Sequence, residues 1–170
     1  MDDWKLKIGF EGFDKTVTEQ LKRTQEIFEK AGMTISRVQD YLIQEGIFKK
    51  SYSELLASAF ILRADLPLDR MPGFVESLDR WLPQSKLFCD YGCGRIFAAF
   101  ENMPDGLWGR LCETGDHLGG HVVMEKATDE FKKHNDVFGI DRPEWKIMQR
   151  IKSTLDPQHV FSPGRLPGKV

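Results

Sequence analysis

Cysteine is scarce in this chain. Cys89, Cys93 and Cys112 are three among 170 residues, an odd number without paired spacing. That excludes a disulfide framework and points to reduced thiols in a cytoplasmic protein, each acting as a small buried hydrophobe. Long hydrophobic runs are also missing, and none approaches the roughly 20 residues needed to span a bilayer. The amino terminus, MDDWKLKIGF, is acidic and then alternating, so it is not a signal peptide. An excess of one charge is lacking too. A net charge of −2 gives no electrostatic case for nucleic acid or an anionic membrane. There is no repeat, no low-complexity segment, no P-loop and no Gly-x-Ser-x-Gly elbow. Gly92-x-Gly94 lacks the third glycine and the strand-to-helix setting of a dinucleotide fingerprint, and reads as a hairpin turn.

What remains is an ordinary globular composition, 41% hydrophobic and 29% charged, in a chain long enough for one domain with a real core. Residues 4–10 alternate apolar and polar, a half-buried strand pattern that begins abruptly after Met1-Asp2-Asp3, as in a segment that starts where another domain ends. Asp14 is a candidate N-cap, and Val17, Leu21, Phe28 and Ala31 stripe a helix ending at Gly32. Val38, Tyr41 and Leu42 suggest a short helix, and residues 51–54 a capping box. Residues 56–63 read as a central strand closed by Leu66-Pro67, and Phe74, Val75, Leu78, Trp81 and Leu82 as an amphipathic helix. LFCDY and RIFAAF flank the glycine turn as a hairpin. Asn102 and Pro104 open a helix that carries Leu107, Trp108 and Leu111 inward, and residues 121–126 form a last strand. The order β, α, β, α, β, β, α, β, α predicts an α+β fold. It is a ferredoxin-like antiparallel sheet covered by helices, with a terminal helix and an extended tail.

That tail, residues 144–170, is the most informative stretch. Trp145, Met148, Ile151 and Leu155 recur at helical spacing, and Asp156-Pro157 ends the helix because proline disfavours a helical conformation before it. Ser162-Pro163-Gly164-Arg165 reads as a tight turn that sets Arg165 at its exit. A basic helix, an Asp-Pro stop, a short apolar link and then Pro-Gly-Arg-Leu resemble the carboxy-terminal end of FAD-linked oxidases of the vanillyl-alcohol oxidase and p-cresol methylhydroxylase type. The likeness is strongest to the FAD-binding subunit of glycolate oxidase. That family usually reads Lys-x-x-(Leu/Phe)-Asp-Pro and, a few residues on, Asn-Pro-Gly-Arg. Lys152 to Pro157 and Pro163 to Arg165 match, while Ser162 stands where asparagine is common. A more diffuse similarity covers Ile61-Leu62-Arg63 through Leu66-Pro67, Gly119-Gly120-His121-Val122-Val123, and Asp136 to Gly139.

The resemblance implies that residues 1–170 are a single cap-like domain whose FAD-binding, amino-terminal partner domain is either fused or separate. It implies FAD in the complete protein, held mostly by that missing domain, and other oxidase subunits as candidate partners. The activity implied is oxidation of a 2-hydroxy acid such as glycolate or lactate, with the isolated chain inactive. His121 shares a strand face with Val123 and Glu125. If that face looks towards the flavin, His121 is the candidate proton acceptor, since histidine titrates near neutrality, and Glu125 a substrate contact. Arg63 and Arg95, read at strand ends, offer guanidinium groups for a substrate carboxylate. Arg165 is the candidate cofactor contact. The plainer alternatives are a surface histidine and solvated arginines. His117 and His121 are four apart, but Gly119 and Gly120 break the helix a metal pair would need, so no metal is expected. Lys126, Lys132, Lys133 and His134, interleaved with Asp129, Glu130 and Asp136, read as a solvated face. The competing function is a stand-alone ferredoxin-like module that binds a ligand or a protein partner.

Overall fold

The computed structural model describes residues 6–36, 53 and 55–169, and the chain divides into two compact units, 1–46 and 47–170. In the first unit, residues 6–10 do not form the expected strand: they carry no regular secondary structure, and Leu6 and Ile8 are exposed. Alternation alone does not make a strand; it needs a neighbour to complete the hydrogen-bond ladder. The expected helix is present as α1, Asp14–Lys30, with Val17, Leu21 and Phe28 as its half-buried stripe. Phe13 rather than Asp14 occupies the cap position, and Asp14 adds its charge to the first turn, where the helix dipole favours it. The short helix and capping box expected between residues 38 and 54 lie outside the described residues, apart from Ser53.

The second unit holds the sheet. Its strands are β1 (Phe60–Asp65), β2 (Lys86–Asp90), β3 (Arg95–Phe100) and β4 (His121–Lys126), in the spatial order β2-β3-β1-β4 with every pair antiparallel. Helix α2 (Met71–Trp81) joins β1 to β2, and α3 (Leu107–His117) joins β3 to β4. This is the split β-α-β arrangement of ferredoxin-like folds. Strand alternation explains the packing. Leu62 and Ala64 on β1, Ile96 and Ala98 on β3, and Val122 and Met124 on β4 face the helices, where Phe74, Leu78, Leu107 and Leu111 meet them. The other face carries Ile61, Phe97 and Ala99, with Leu55 and Phe88, as a smaller apolar cluster.

Two boundaries differ from expectation. β1 begins four residues later than the apolar run, because Leu55 and Leu56 belong to a helical turn, and it extends through Asp65. Helix α3 begins at Leu107 rather than near Asn102, after a turn in which the Leu107 amide donates to the Pro104 carbonyl. A short helix α4 (Asp129–His134) follows β4, capped by Thr128, whose hydroxyl accepts from the Phe131 amide at 3.3 Å. Its basic residues pair with Asp129 and Glu130 along the exposed helix surface, so the solvated reading of that stretch holds. The terminal helix α5 (Trp145–Leu155) stops at Asp156 as expected. Its apolar stripe is another matter: Trp145 is buried, while Met148, Ile151 and Leu155 are exposed.

Candidate functional site

The face of the sheet opposite α2 and α3 gathers four of the five sequence candidates into one charged cluster. Asp65 ends β1, directly across from Arg95 on β3 and His121 on β4. Arg95 Nε donates to Asp65 Oδ1 at 2.6 Å. On the other oxygen, Oδ2 lies 2.9 Å from Arg63 Nε and 3.2 Å from His121 Nε2. Arg63 reaches further, with Nη1 2.6 Å from Glu125 Oε1. Arg63 therefore lies inside β1 rather than at its end, and Asp65 is the residue that sequence reasoning missed. The signal was available: Ile61, Arg63 and Asp65 continue the alternation two residues past the apolar run.

Two local features bring these groups together. The β1–β4 register shifts between Ile61 and Leu62, so that Ile61 faces Lys126, Leu62 faces Met124, and Glu125 is the additional residue. Such a bulge re-aims a side chain, here towards Arg63. The second is Gly120. A Cβ there would lie 2.1 Å from the Asp65 carbonyl oxygen, so only glycine lets the start of β4 approach the end of β1 this closely. Arg142 fixes the same point from outside, donating to the Gly120 carbonyl at 2.6 Å and lying 3.3 Å from Asp116 Oδ1.

The charges in this cluster balance. Arg63 and Arg95 face Asp65 and Glu125, with the His121 ring beside Asp65. Asp65 holds the Arg95 guanidinium still more firmly protonated than usual, mainly through their hydrogen bond. Asp65 engages Arg95 through Nε, and the other guanidinium N–H groups are donors for a planar anion. Next to the cluster lies an apolar depression of about 420 Å³ lined by Leu55, Leu56, Ile61, Phe97, Glu125 and Lys126.

The tail builds a second, compact lock. Lys152 and Asp156 pair across one turn of α5 with side chains only 9% and 7% exposed. The Asp156 carboxylate also accepts from the backbone amides of Val160 at 2.9 Å and Phe161 at 3.0 Å. Lys152, and then those amides, hold its carboxyl well down, at about 2. The Ser162 carbonyl accepts from the Arg165 amide at 3.3 Å with Gly164 at φ 69°, so the expected turn is formed and Arg165 leaves it exposed. Beyond it, Asp136 Oδ2 accepts from the Gly168 amide at 2.7 Å and pins the tail to the domain. Arg165 is thus not brought to the Asp65 cluster by any contact among the described residues.

His117 ends α3 and His121 opens β4, so the two histidines occupy different elements. No three His, Cys, Asp or Glu side chains gather as a metal site among the described residues. Nor is any of the described helices long and apolar enough to cross a membrane. The three cysteines are unpaired. Burial pushes the thiols of Cys89 and Cys112 up to about 11 and about 12, while Asp90 raises exposed Cys93, so none is poised as a thiolate.

Residues 138–166 match the family of FAD linked oxidases, C-terminal domain. The matched segment holds the whole Lys152–Asp156 lock, the Ser162–Arg165 turn and the exposed stripe of α5. No curated protein and no solved structure matches the chain. The likeness to FAD-linked oxidases therefore rests on the tail, and the Asp65 cluster lies upstream of it.

Proposed function

We propose that this chain is the carboxy-terminal cap domain of an FAD-dependent oxidoreductase that oxidises a 2-hydroxy acid such as glycolate or lactate, similar to the FAD-binding subunit of glycolate oxidase. The observation that carries this reading is the apolar surface of the matched tail. Ile147, Met148, Ile151, Leu155, Val160 and Phe161 are each 46–77% exposed, next to a turn that presents Arg165. Covering them would gain part of the roughly 1.5–3 kcal/mol that full burial of such a side chain gives, and so many exposed apolar side chains in one short segment favour a partner surface. An FAD-binding domain, fused or separate, is the cover that the family match favours.

The described residues suit a supporting role towards FAD. They include no glycine-rich pyrophosphate loop, and their contribution is the guanidinium of Arg165 at the domain junction. Bound FAD would supply the hydride acceptor for the substrate carbon. The chain's own groups supply the rest. Arg95 and Arg63 hold the substrate carboxylate on the sheet face, and Glu125 keeps Arg63 in place. Asp65 beside Nε2 favours a proton there, leaving Nδ1 of His121 to accept the substrate's hydroxyl proton. The proton also restores balance: a bound carboxylate adds one negative charge to a neutral cluster, and an imidazolium offsets it. A cytoplasmic setting suits the unpaired cysteines.

The test is to isolate the protein from its own cells and measure its mass and its flavin fluorescence. A flavin-bearing chain or complex is expected, and Ile151→Glu with Phe161→Glu should release the flavin partner or destabilise its domain. A native product of about this length with no flavoprotein attached refutes the proposal.

A further inference from the structure

We infer that the acid oxidised at this site carries an extended apolar side chain, which lies in the depression between Leu56, Ile61 and Phe97. The inference rests on the proposed 2-hydroxy-acid reading and narrows it away from glycolate and lactate.

The depression and the charged cluster form one continuous surface. Ile61 is two residues before Arg63 on β1, and Phe97 is two residues after Arg95 on β3 and directly across from Arg63. Glu125 belongs to both, lining the depression while pairing with Arg63 at 2.6 Å. A carboxylate held at the arginines therefore leaves the rest of the molecule over Phe97 and Ile61. Two residues of strand span roughly 6.7 Å, so roughly five carbons reach from the level of Arg63 to that of Ile61.

Among the described residues the walls of the depression are mostly apolar. Both charged residues of the lining are already engaged: Glu125 by Arg63, and Lys126 by the Leu56 carbonyl at 2.8 Å. The rest of the described lining, Leu55, Leu56, Ile61 and Phe97, presents hydrocarbon and one aromatic ring. A volume of about 420 Å³ falls within the usual range for small-molecule sites. Glycolate would leave that surface against water. A longer acid buries it, at about fourfold in affinity per methylene, the ordinary transfer value of one CH₂ expressed as a binding ratio.

Calorimetric titration of the 170-residue chain with lactate, 2-hydroxybutanoate, 2-hydroxyhexanoate and 2-hydroxyoctanoate tests this. The expected result is a dissociation constant falling about three- to fourfold per methylene, levelling off near five side-chain carbons. Leu56, 47% exposed, can be changed with little risk to the fold, and Leu56→Ser should weaken 2-hydroxyhexanoate about tenfold more than lactate. Arg95→Gln should weaken all four acids alike. Equal constants across the series, or no selective effect of Leu56→Ser, overturn the inference and leave the parent reading standing. Dissociation constants for all four acids that are the same in Arg95→Gln as in the parent remove the carboxylate site and overturn the parent reading. Absence of binding by every acid overturns the inference, and the parent reading then stands or falls on the flavin test above.

Discussion

Gly120→Ala offers a sharp test of the Asp65–His121 arrangement. The new methyl carbon would sit 2.1 Å from the Asp65 carbonyl oxygen, 2.6 Å from Leu66 Cδ2 and 3.0 Å from Leu66 Cα. Leu66 Cδ2 can swing away, but backbone cannot. Ordinary contact begins at 3.4 Å, so the end of β1 and the start of β4 must part by about 1.3 Å. The His121–Asp65 separation, now 3.2 Å, would open to about 4.5 Å, beyond hydrogen-bond reach. Overpacking of this kind costs about 1–3 kcal/mol. Glycine-to-alanine changes at unstrained sites instead stabilise by about 0.4–1 kcal/mol, so the sign alone decides. Denaturant unfolding should show the loss, and the melting temperature should fall by roughly 2–4 °C per kcal/mol for a domain of this size. Side-chain resonances of His121 report the local consequence. As a control, Asp65→Asn removes the carboxylate with almost no change in volume, and should move the same resonances while leaving the β1–β4 spacing intact. A Gly120→Ala protein as stable as the parent, with unmoved His121 resonances, refutes the close approach.

Two further predictions concern the tail. The Asp156 carboxyl is depressed to about 2 when folded, against an ordinary value of 3.8. Its contribution is therefore complete above about pH 4 and is lost as pH falls through about 2, so Val160 and Phe161 amide protection should decay in that window and not above it. Asp156→Asn should abolish this acid step; protection already lost near pH 5 would contradict the lock. Ser162 takes φ 47°, a left-handed conformation that asparagine adopts several-fold more readily and that the following proline makes harder still. Ser162→Asn should thus stabilise the turn by about 0.5 kcal/mol, measured by denaturant unfolding, and a loss of stability would show that the conformation is held for another reason.

The elements that the sequence made legible are those decided by local chemistry. β4 follows from alternation after Gly119-Gly120, the hairpin from two apolar runs around a glycine turn, and α5 from helical spacing up to Asp156-Pro157. The same kind of signal failed at residues 6–10, which alternate but carry no regular secondary structure. It also failed at Leu55 and Leu56, where an apolar run could serve a helix turn or a strand equally well. Alternation set His121 and Glu125 on one strand face, but nothing local placed Arg63 and Arg95 near them.

By itself, then, the sequence determined the α+β class, the order of the main elements and the tail turn, because each depends on residues a few positions apart. Tertiary structure alone decided the site. Asp65, Arg95 and His121 lie 30 and 26 positions apart along the chain, and only the β2-β3-β1-β4 order brings them together. The register shift that turns Glu125 towards Arg63, and the backbone contact that requires glycine at 120, exist only between strands already paired. The exposed stripe of α5 has the same origin: its spacing specifies an apolar face, and only the folded chain shows which part of that face is left uncovered.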